Sequence, residues 1–203
     1  MKIAIIGATG NVGSRLLDEA LRRGHSVSAI ARKASALAAR ANLSTHDVDV
    51  HHSDAVAAVL KGHDAVISSG RFATIAAADI VAPLKQAGVK RLLVVGGAGS
   101  LEIAPGMALV DTPQFPAEYK AEASAGRDFL QALRQESELD WGFLSPSALF
   151  VPGTRSGVFR LGQDQLLTAA DGKSWISMED YAIALLDEVE RPAHLRQRFT
   201  VGY

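Results

Sequence analysis

The 203-residue chain contains no cysteine. That excludes a disulfide framework, a cysteine zinc site and a thiol nucleophile, and it fits a reducing compartment. An excess of one charge is also missing: 21 basic and 22 acidic side chains leave a net charge of −1. A polyanion finds no electrostatic anchor on such a chain, so nucleic acid is not an expected partner. Long hydrophobic runs are lacking too. Trp141 to Thr154 is 14 residues without a charge, but Pro146 and Pro152 interrupt it, and a membrane span needs about 20 apolar residues. Met1-Lys2 is followed by only a short apolar run before Gly7, without the core and cleavage site of a signal peptide. The expectation is a soluble, cytoplasmic protein with no membrane partner. What the chain does have is 48% hydrophobic residues. At this length that suffices for one domain over 1–203 with a sizeable core.

Strand and helix signals alternate from the first residues. Lys2–Gly7 is a short apolar run ending at glycine, a buried strand. Asn11–Arg23 places Val12, Leu16, Leu17, Ala20 and Leu21 on one helical stripe that Gly24 stops. The pattern continues with a strand over His25–Ala31, an alanine-rich helix over about Ala34–Arg40 and a strand near Ser44–Val50. Val56, Val59 and Leu60 mark a short helix ending at Gly62, and Asp64–Ser69 is the fourth strand. Ile75, Ile80, Val81 and Leu84 give a helix closed by Gly88, with Pro83 predicting a kink or an early end. Lys90–Val95 is the fifth strand, apolar on both faces. Residues 97–117 hold three prolines and no period, which predicts a long functional loop. A helix over Ala117–Gln135, a strand over Trp141–Leu144, an excursion over Ser147–Ser174, a helix over Glu179–Val189 and a last strand over Phe199–Val201 complete the chain. Repeated βα units with short connections require a parallel sheet with helices on both faces, the doubly wound α/β (Rossmann) fold. Its ligands bind beyond the carboxyl ends of the strands.

The sharpest local signal is Gly7-Ala8-Thr9-Gly10-Asn11-Val12-Gly13, between the first strand and the first helix. Gly7 allows the sharp exit from the strand, Gly10 lets backbone approach a pyrophosphate, and Gly13 permits close helix–strand packing. Thr9, Gly10, Asn11 and Val12 then bring free N–H groups of the helix N-terminus to the anion. At the second strand's tip an NAD site would carry an acid; here Arg32-Lys33 follows Ala31 with no carboxylate. Arg32 can fork onto a 2′-phosphate, with Lys33 adding a point charge. NADP(H) is the expected cofactor and NAD(H) the weaker fit.

These residues carry a resemblance. GATGNVG at Gly7–Gly13, the AIAR strand tip, Asp64-Ala65-Val66-Ile67-Ser68, the glycine-rich Leu92–Ser100 segment, Ser145-Pro146 and the terminal Arg198–Tyr203 together resemble an atypical short-chain dehydrogenase/reductase. Within that group the chain is similar, over its whole length, to small NAD(P)-binding proteins named NADH-flavin reductases, relatives of NmrA-like and biliverdin IXβ/flavin reductase proteins. The resemblance implies that Asp49 and Val50 bracket the adenine and that Ser68, Ser69 and Gly70 run along the ribose and phosphates. It implies that Gly97 to Ser100 face the nicotinamide ribose, and that Pro146, Ser147 and Phe150 border the nicotinamide and substrate.

The wider superfamily donates its proton from a Tyr-x-x-x-Lys dyad. Here Tyr119 is followed by Lys120, and Ala123 stands four positions on, so the dyad is absent as written. Ser100, Tyr119 and Lys120 remain the candidate catalytic residues, Ser100 as a donor to a carbonyl or developing oxyanion. Arg155 and Arg160 could join Tyr119-Lys120 in a cationic rim. His51-His52 lacks the convergent ligands of a metal site, and no metal is expected. Trp141 is read as core and Phe150 as the aromatic over a flat ring. The leading expectation is an NADPH-dependent reductase of flat conjugated acceptors such as flavin or quinone, monomeric or homodimeric, with a small-molecule substrate. The alternatives are a non-catalytic NADP-binding redox sensor and an epimerase or dehydratase that retains its nicotinamide.

Overall fold

The computed structural model describes all residues from 1 to 203. In chain order the elements are β1 (Lys2–Ile6), α1 (Asn11–Arg22), β2 (Ser26–Ala31), β3 (Leu43–Asp47), α2 (Ser53–Leu60), β4 (Ala65–Ser68), α3 (Ala77–Ala87) and β5 (Arg91–Val95). They continue with β6 (Glu102–Ala104), β7 (Met107–Ala108), α4 (Ala117–Arg134), β8 (Asp140–Pro146), β9 (Leu149–Val151), β10 (Arg160–Gly162), β11 (Trp175–Ser177), α5 (Met178–Glu190) and β12 (Gln197–Gly202). The main sheet has eight strands in the order β10-β12-β8-β5-β4-β1-β2-β3. All its pairs are parallel except β10 with β12. The chain winds outward from β1 to β3, then crosses back to β4, so the topological switch lies between β1 and β4. This is the doubly wound fold expected from the alternating pattern.

Both faces of the sheet are covered, and the strands alternate between two cores. Ile3 and Ile5 of β1 join a cluster with Leu16 and Leu17 of α1 and Leu185 and Leu186 of α5. Ala4 and Ile6 point the other way, into a cluster with Leu60, Ile80, Leu84 and Phe129 of α2, α3 and α4. The run Leu92–Val95 divides in the same manner, which is why it reads as continuously apolar. Trp141 packs in the second core as expected, only 2% exposed.

Several local expectations are corrected. Residues 34–40 form no helix beyond a 3-10 turn over Ala34–Ala36. Only Ala34 and Leu37 turn inward while Ala36, Ala38 and Ala39 face solvent, a stripe too short to dock a helix, and propensity alone does not sustain one turn or two. The third strand stops at Asp47. Ile75 precedes α3, which starts at Ala77 and runs through Pro83 to a left-handed Gly88 at φ +74°. Residues 97–117, expected as loop, contain the short β6–β7 hairpin and a 3-10 turn at Leu109–Asp111; strands of three and two residues are too short to leave a period. The excursion after Ser147 is likewise built, with β9 and β11 pairing in parallel and β10 forming the sheet edge.

That excursion is tied to the sheet-covering helices by buried polar groups. The Ser177 hydroxyl donates to the Thr154 carbonyl at 2.9 Å, Glu179 accepts from the Gly153 N–H at 2.7 Å, and Asp180 accepts from Gly157 N–H at 2.8 Å, Tyr203 hydroxyl at 2.7 Å and the Ser156 hydroxyl. Arg155 forks onto Glu19 of α1 with both contacts at 2.9 Å, and Arg23 reaches the same carboxylate at 2.9 Å. Glu19 is 4% exposed. The Arg155 hydrogen bonds outweigh the cost of burial and, with Arg23, hold its carboxyl at about 2, against an ordinary 4.5. A carboxyl held low in the fold contributes stability above pH 4.5 that is lost as pH falls towards 2; a depression of this size is linked to roughly 3 kcal/mol. Glu19→Gln should therefore cost about 2–4 kcal/mol at pH 7 and flatten the acid limb between pH 5 and 2. Urea titrations of both proteins across that range check it, and parallel acid limbs would refute it.

Candidate functional site

The first turn after β1 is held by packing that only glycine permits. Gly7 has φ +82°, and a Cβ there would lie 2.5 Å from the Ser69 carbonyl oxygen. A Cβ on Gly13 would lie 2.1 Å from the Gly7 carbonyl oxygen, so α1 presses its first turn onto the strand exit. Gly10 differs. A Cβ on it would meet nothing closer than the Gly7 oxygen at 3.3 Å, and the residue is exposed together with Thr9 and Asn11. That contact is tight without being a clash, so the protein constrains position 10 far less than positions 7 and 13, and the loop is open there to a ligand. The N-terminus of α1 has no side-chain cap and no acid in its first turn. Its leading N–H groups and the positive end of the helix dipole are thus left for an anion. A dinucleotide pyrophosphate fits this cradle.

The neighbouring strand tips complete the edge. Ser69 donates its N–H to the Ile6 carbonyl at 2.9 Å, locking the β4 exit beside the glycine loop, with Ser68 buried just before it. Gly70 sits against the Ile75 side chain, where a Cβ would fall 2.3 Å from its Cδ1. Gly97 is open, its nearest neighbour being Phe72 at 4.0 Å from a built Cβ. Pro146 ends β8 as a buried residue. At the β2 tip Arg32 and Lys33 are exposed and make no ion pair. Asp47, level with Ala31 in the register, accepts from the Ser35 N–H at 2.7 Å and hydroxyl at 2.6 Å. Those hydrogen bonds lower its carboxyl and occupy the one acid near the tip.

Asp49 and Val50 follow β3, Val50 in the second core. The Asp49 carboxylate accepts from the His51 N–H at 3.1 Å and faces its Nδ1 at 2.7 Å, while His51 Nε2 lies 2.9 Å from the Thr74 carbonyl. An ionised carboxylate and a carbonyl can only accept, so both bonds together require a ring protonated on both nitrogens. Asp49 accordingly raises the His51 pKa, and His51 lowers that of Asp49. His51 is therefore a clasp between the loops after β3 and β4.

Among the residues expected on the substrate side the expectations divide. Tyr119 is 63% exposed and Lys120 is exposed beside it in the first turn of α4. Ala123, at the position of the superfamily lysine, lies against Gly99, with its Cβ 2.7 Å from where a glycine Cβ would be. Any side chain at position 99 would collide with Ala123, so Gly99 lets the loop after β5 lie against α4. Ser147 is fully buried and its hydroxyl donates to the Val201 carbonyl at 3.0 Å. The Phe150 ring packs on Tyr181 with centroids 4.7 Å apart. Both turn inward, towards the core. The cationic rim is not assembled: Arg155 is spent on Glu19, and Arg160 donates to the Thr168 and Tyr203 carbonyls at 2.6 and 2.5 Å. Glu122 and Arg198, like Asp47, escaped the sequence reading. Glu122 accepts from the Phe72 and Ala73 N–H groups at 2.7 and 3.0 Å. Arg198 reaches Ser100 from the last strand; a charged residue among the apolar members of a buried strand is the signal that could have found it.

A doubly wound sheet with an open glycine cradle at its switch point defines a nucleotide-binding protein. More specifically, the chain belongs to the NAD(P)H-binding family, whose model matches residues 7–192. It is 43% identical to the uncharacterized protein YwnB of Bacillus subtilis (strain 168), covering 99% of this chain and 98% of that one. A Bacteroides thetaiotaomicron structure provisionally assigned as an epimerase is 44% identical, with a TM-score of 0.94 over 100% of this chain and 96% of that one. A Streptococcus pneumoniae TIGR4 structure provisionally assigned as an NADH-flavin reductase is 36% identical, with a TM-score of 0.87 over 100% and 99%. The resemblance to the atypical short-chain dehydrogenase/reductases is borne out. No helix is long and apolar enough to cross a membrane.

The three glycines should separate in mutagenesis. Gly10→Val should leave the fold intact and weaken NADPH binding at least about 100-fold, because the added side chain fills the cradle. Gly13→Ala should instead lower stability by about 3 kcal/mol or more, since its methyl must displace backbone. Thermal melts with calorimetric NADPH titration test the contrast; normal NADPH binding by folded Gly10→Val would exclude the loop as the pyrophosphate site.

Proposed function

We propose that this protein is an NADPH-dependent reductase that delivers hydride to a flat conjugated acceptor such as a flavin or a quinone. The observation that carries the reading is the pairing of the open Gly10 cradle with Ala123 against Gly99. The chain keeps a place for a nicotinamide dinucleotide and fills the place of the dyad lysine with a methyl group. A bound nicotinamide supplies the hydride. The glycine loop holds the pyrophosphate, Arg32 and Lys33 meet the 2′-phosphate, and the Gly97–Ser100 segment with Pro146 positions the reacting ring. Without a dyad, the acceptors best served are those that take their proton from solvent and need chiefly near-attack stacking. The same missing dyad speaks against an epimerase. It is equally compatible with a redox sensor that binds NADPH without turnover, and turnover decides between the two.

Two outcomes follow. In a panel of flavin, quinone and simple carbonyl acceptors, NADPH oxidation should occur with the first two; tight NADPH binding with no oxidation at all would establish the sensor. Arg32→Ala should weaken NADPH by about 10- to 100-fold, the worth of a charged hydrogen bond, while NADH affinity stays within about twofold. Equal wild-type affinity for both cofactors would remove the assignment of Arg32.

General acid catalysis contributes about 10²–10⁴-fold. Tyr119→Phe and Lys120→Ala should each lower kcat less than about tenfold, because neither side chain is held by the fold. Steady-state kinetics at saturating NADPH measure this, and a thousandfold collapse in Tyr119→Phe would restore an acid-catalysed mechanism.

A further inference from the structure

The sheet order puts β1 and β2 between β4 and β3. The loop after β3 and the loop after β4 therefore stand on either side of two strand tips. One tip carries the glycine cradle, and the other carries Arg32. A dinucleotide with its pyrophosphate at Gly10 and its ribose phosphate at Arg32 runs its adenosine half past the mouth between those loops. His51 spans that mouth. Its Nδ1 lies 2.7 Å from Asp49 Oδ1 in the loop after β3, and its Nε2 lies 2.9 Å from the Thr74 carbonyl in the loop after β4. The second loop has two other anchors. Its root is fixed beside the cradle, where the Ser69 N–H donates to the Ile6 carbonyl at 2.9 Å, and Glu122 of α4 accepts from the Phe72 and Ala73 N–H groups. Of these three anchors, only His51 changes charge near neutral pH.

The clasp needs one protonation state. A neutral imidazole has a single N–H, while Asp49 and the Thr74 carbonyl both accept. Whichever nitrogen keeps the proton, the other sets a lone pair against an oxygen, and one of the two bonds is lost. The charged groups around the ring favour the closed form. Asp49, the Thr74 carbonyl and, from α3, Asp79 at 4.0 Å from Nε2 together raise the His51 pKa above its ordinary 6.5. The other charges nearby are engaged elsewhere: Asp54 of α2 accepts from Gln86 at 2.9 Å, and Arg71 faces Glu122 at 3.8 Å. His52 is the one further group that can become a cation beside Asp49. We propose that His51 is a positioning residue that closes the adenosine side of the cofactor site, and that it does so only as an imidazolium. The clasped form is the one that binds. When the ring is neutral, only a fraction of the molecules is clasped, and the apparent Kd rises by the inverse of that fraction. Affinity for the dinucleotide is then highest in mildly acidic solution and falls as pH rises through the titration of His51. By linkage, a bound dinucleotide makes the ring harder to deprotonate by the same factor. This inference rests on the dinucleotide lying in the glycine cradle and is independent of turnover.

The test reads binding, not turnover. NADPH is titrated calorimetrically into the whole protein from about pH 6.5 to 9, above the second ionisation of its 2′-phosphate. The His51 ring is followed by NMR over the same range, in the free protein and in the complex. The wild-type Kd should rise about fivefold to thirtyfold across the range, and His51 should titrate at a higher pH in the complex than in the free protein. The His51 side chain is about half exposed, so its substitutions leave both cores untouched. His51→Gln should bind with the weak, high-pH Kd of the wild type throughout. His51→Arg supplies a cation that donates in several directions and does not deprotonate; it should regain the tight Kd to within about threefold and hold it flat. His52→Gln should keep the wild-type profile. A flat wild-type profile, a pH dependence retained in His51→Gln, or a His51 titration that NADPH leaves unchanged would each overturn the inference. A wild type that binds no NADPH at any pH overturns the cradle assignment itself, a distinct outcome.

Discussion

A side chain at position 13 would bring its Cβ to within 2.1 Å of the Gly7 carbonyl oxygen, and one at position 7 would reach within 2.5 Å of the Ser69 oxygen. Those two close approaches set the distance between α1, β1 and the β4 exit. Because α1 sits that low on the strand, its first turn emerges at the sheet edge at the switch point between β1 and β4. Its N–H groups then point past Gly10 into open space. Leu16 and Leu17 are delivered to the same core as Ile3 and Ile5, so burial drives the helix down while glycine permits it to arrive. A larger residue at either position would lift the helix, opening the core and misaiming the cradle together. Fold and binding share one steric constraint.

The excursion after β8 is placed by charge. Phe150 and Phe159 of the excursion between β8 and β11 pack on the first core, and polar clamps fix the rest of it. Arg155 meets Glu19 on α1, and Gly153, Ser156 and Gly157 meet Glu179 and Asp180 on α5. Burial alone would push the Asp180 carboxyl up, but the Ser156 hydroxyl, the Gly157 N–H and the Tyr203 hydroxyl outweigh it and hold the group ionised. Breaking one partner of such a buried set leaves an uncompensated charge, which costs far more than the net worth of the pair. The clamps therefore specify where the excursion lies as well as contributing to stability. Arg198 extends the same logic to the loop after β5.

The sheet, its helices and the glycine loop were legible because each has a signal inside a short window: alternating faces, a helical stripe, a glycine between strand and helix. Residues 34–40 misled because alanine content reports propensity and says nothing of a partner surface. The β6–β7 hairpin was illegible because its strands are too short to show a period. The fates of Ser147, Phe150, Arg155 and Arg160 depend on contacts with Val201, Tyr181, Glu19 and Tyr203, separated from them by dozens of residues. A polar residue after a strand end looks the same in sequence whether it faces a ligand or a distant carbonyl. Asp47 escaped for a related reason: the acid near the second strand's tip belongs to the neighbouring strand and becomes visible only through the register.

The methyl of Ala123 against Gly99 bears on the whole chemistry of the site. In the dyad arrangement a lysine lowers a tyrosine pKa so that the tyrosine can give up its proton. With the lysine's place filled by a methyl group, Tyr119 keeps an exposed phenol that no neighbouring group holds towards the cradle. The hydroxyl expected on that side, Ser100, is backed by a cation that cannot take a proton. Such a pair can stabilise negative charge without transferring a proton to it. Simple ketones and aldehydes become strongly basic alkoxides on hydride addition and need a proton at once. A quinone or a flavin spreads the charge over its conjugated system and can wait for water. On the proposed reading the site is selective by what it lacks, and that selection would follow from one side chain on one face of α4.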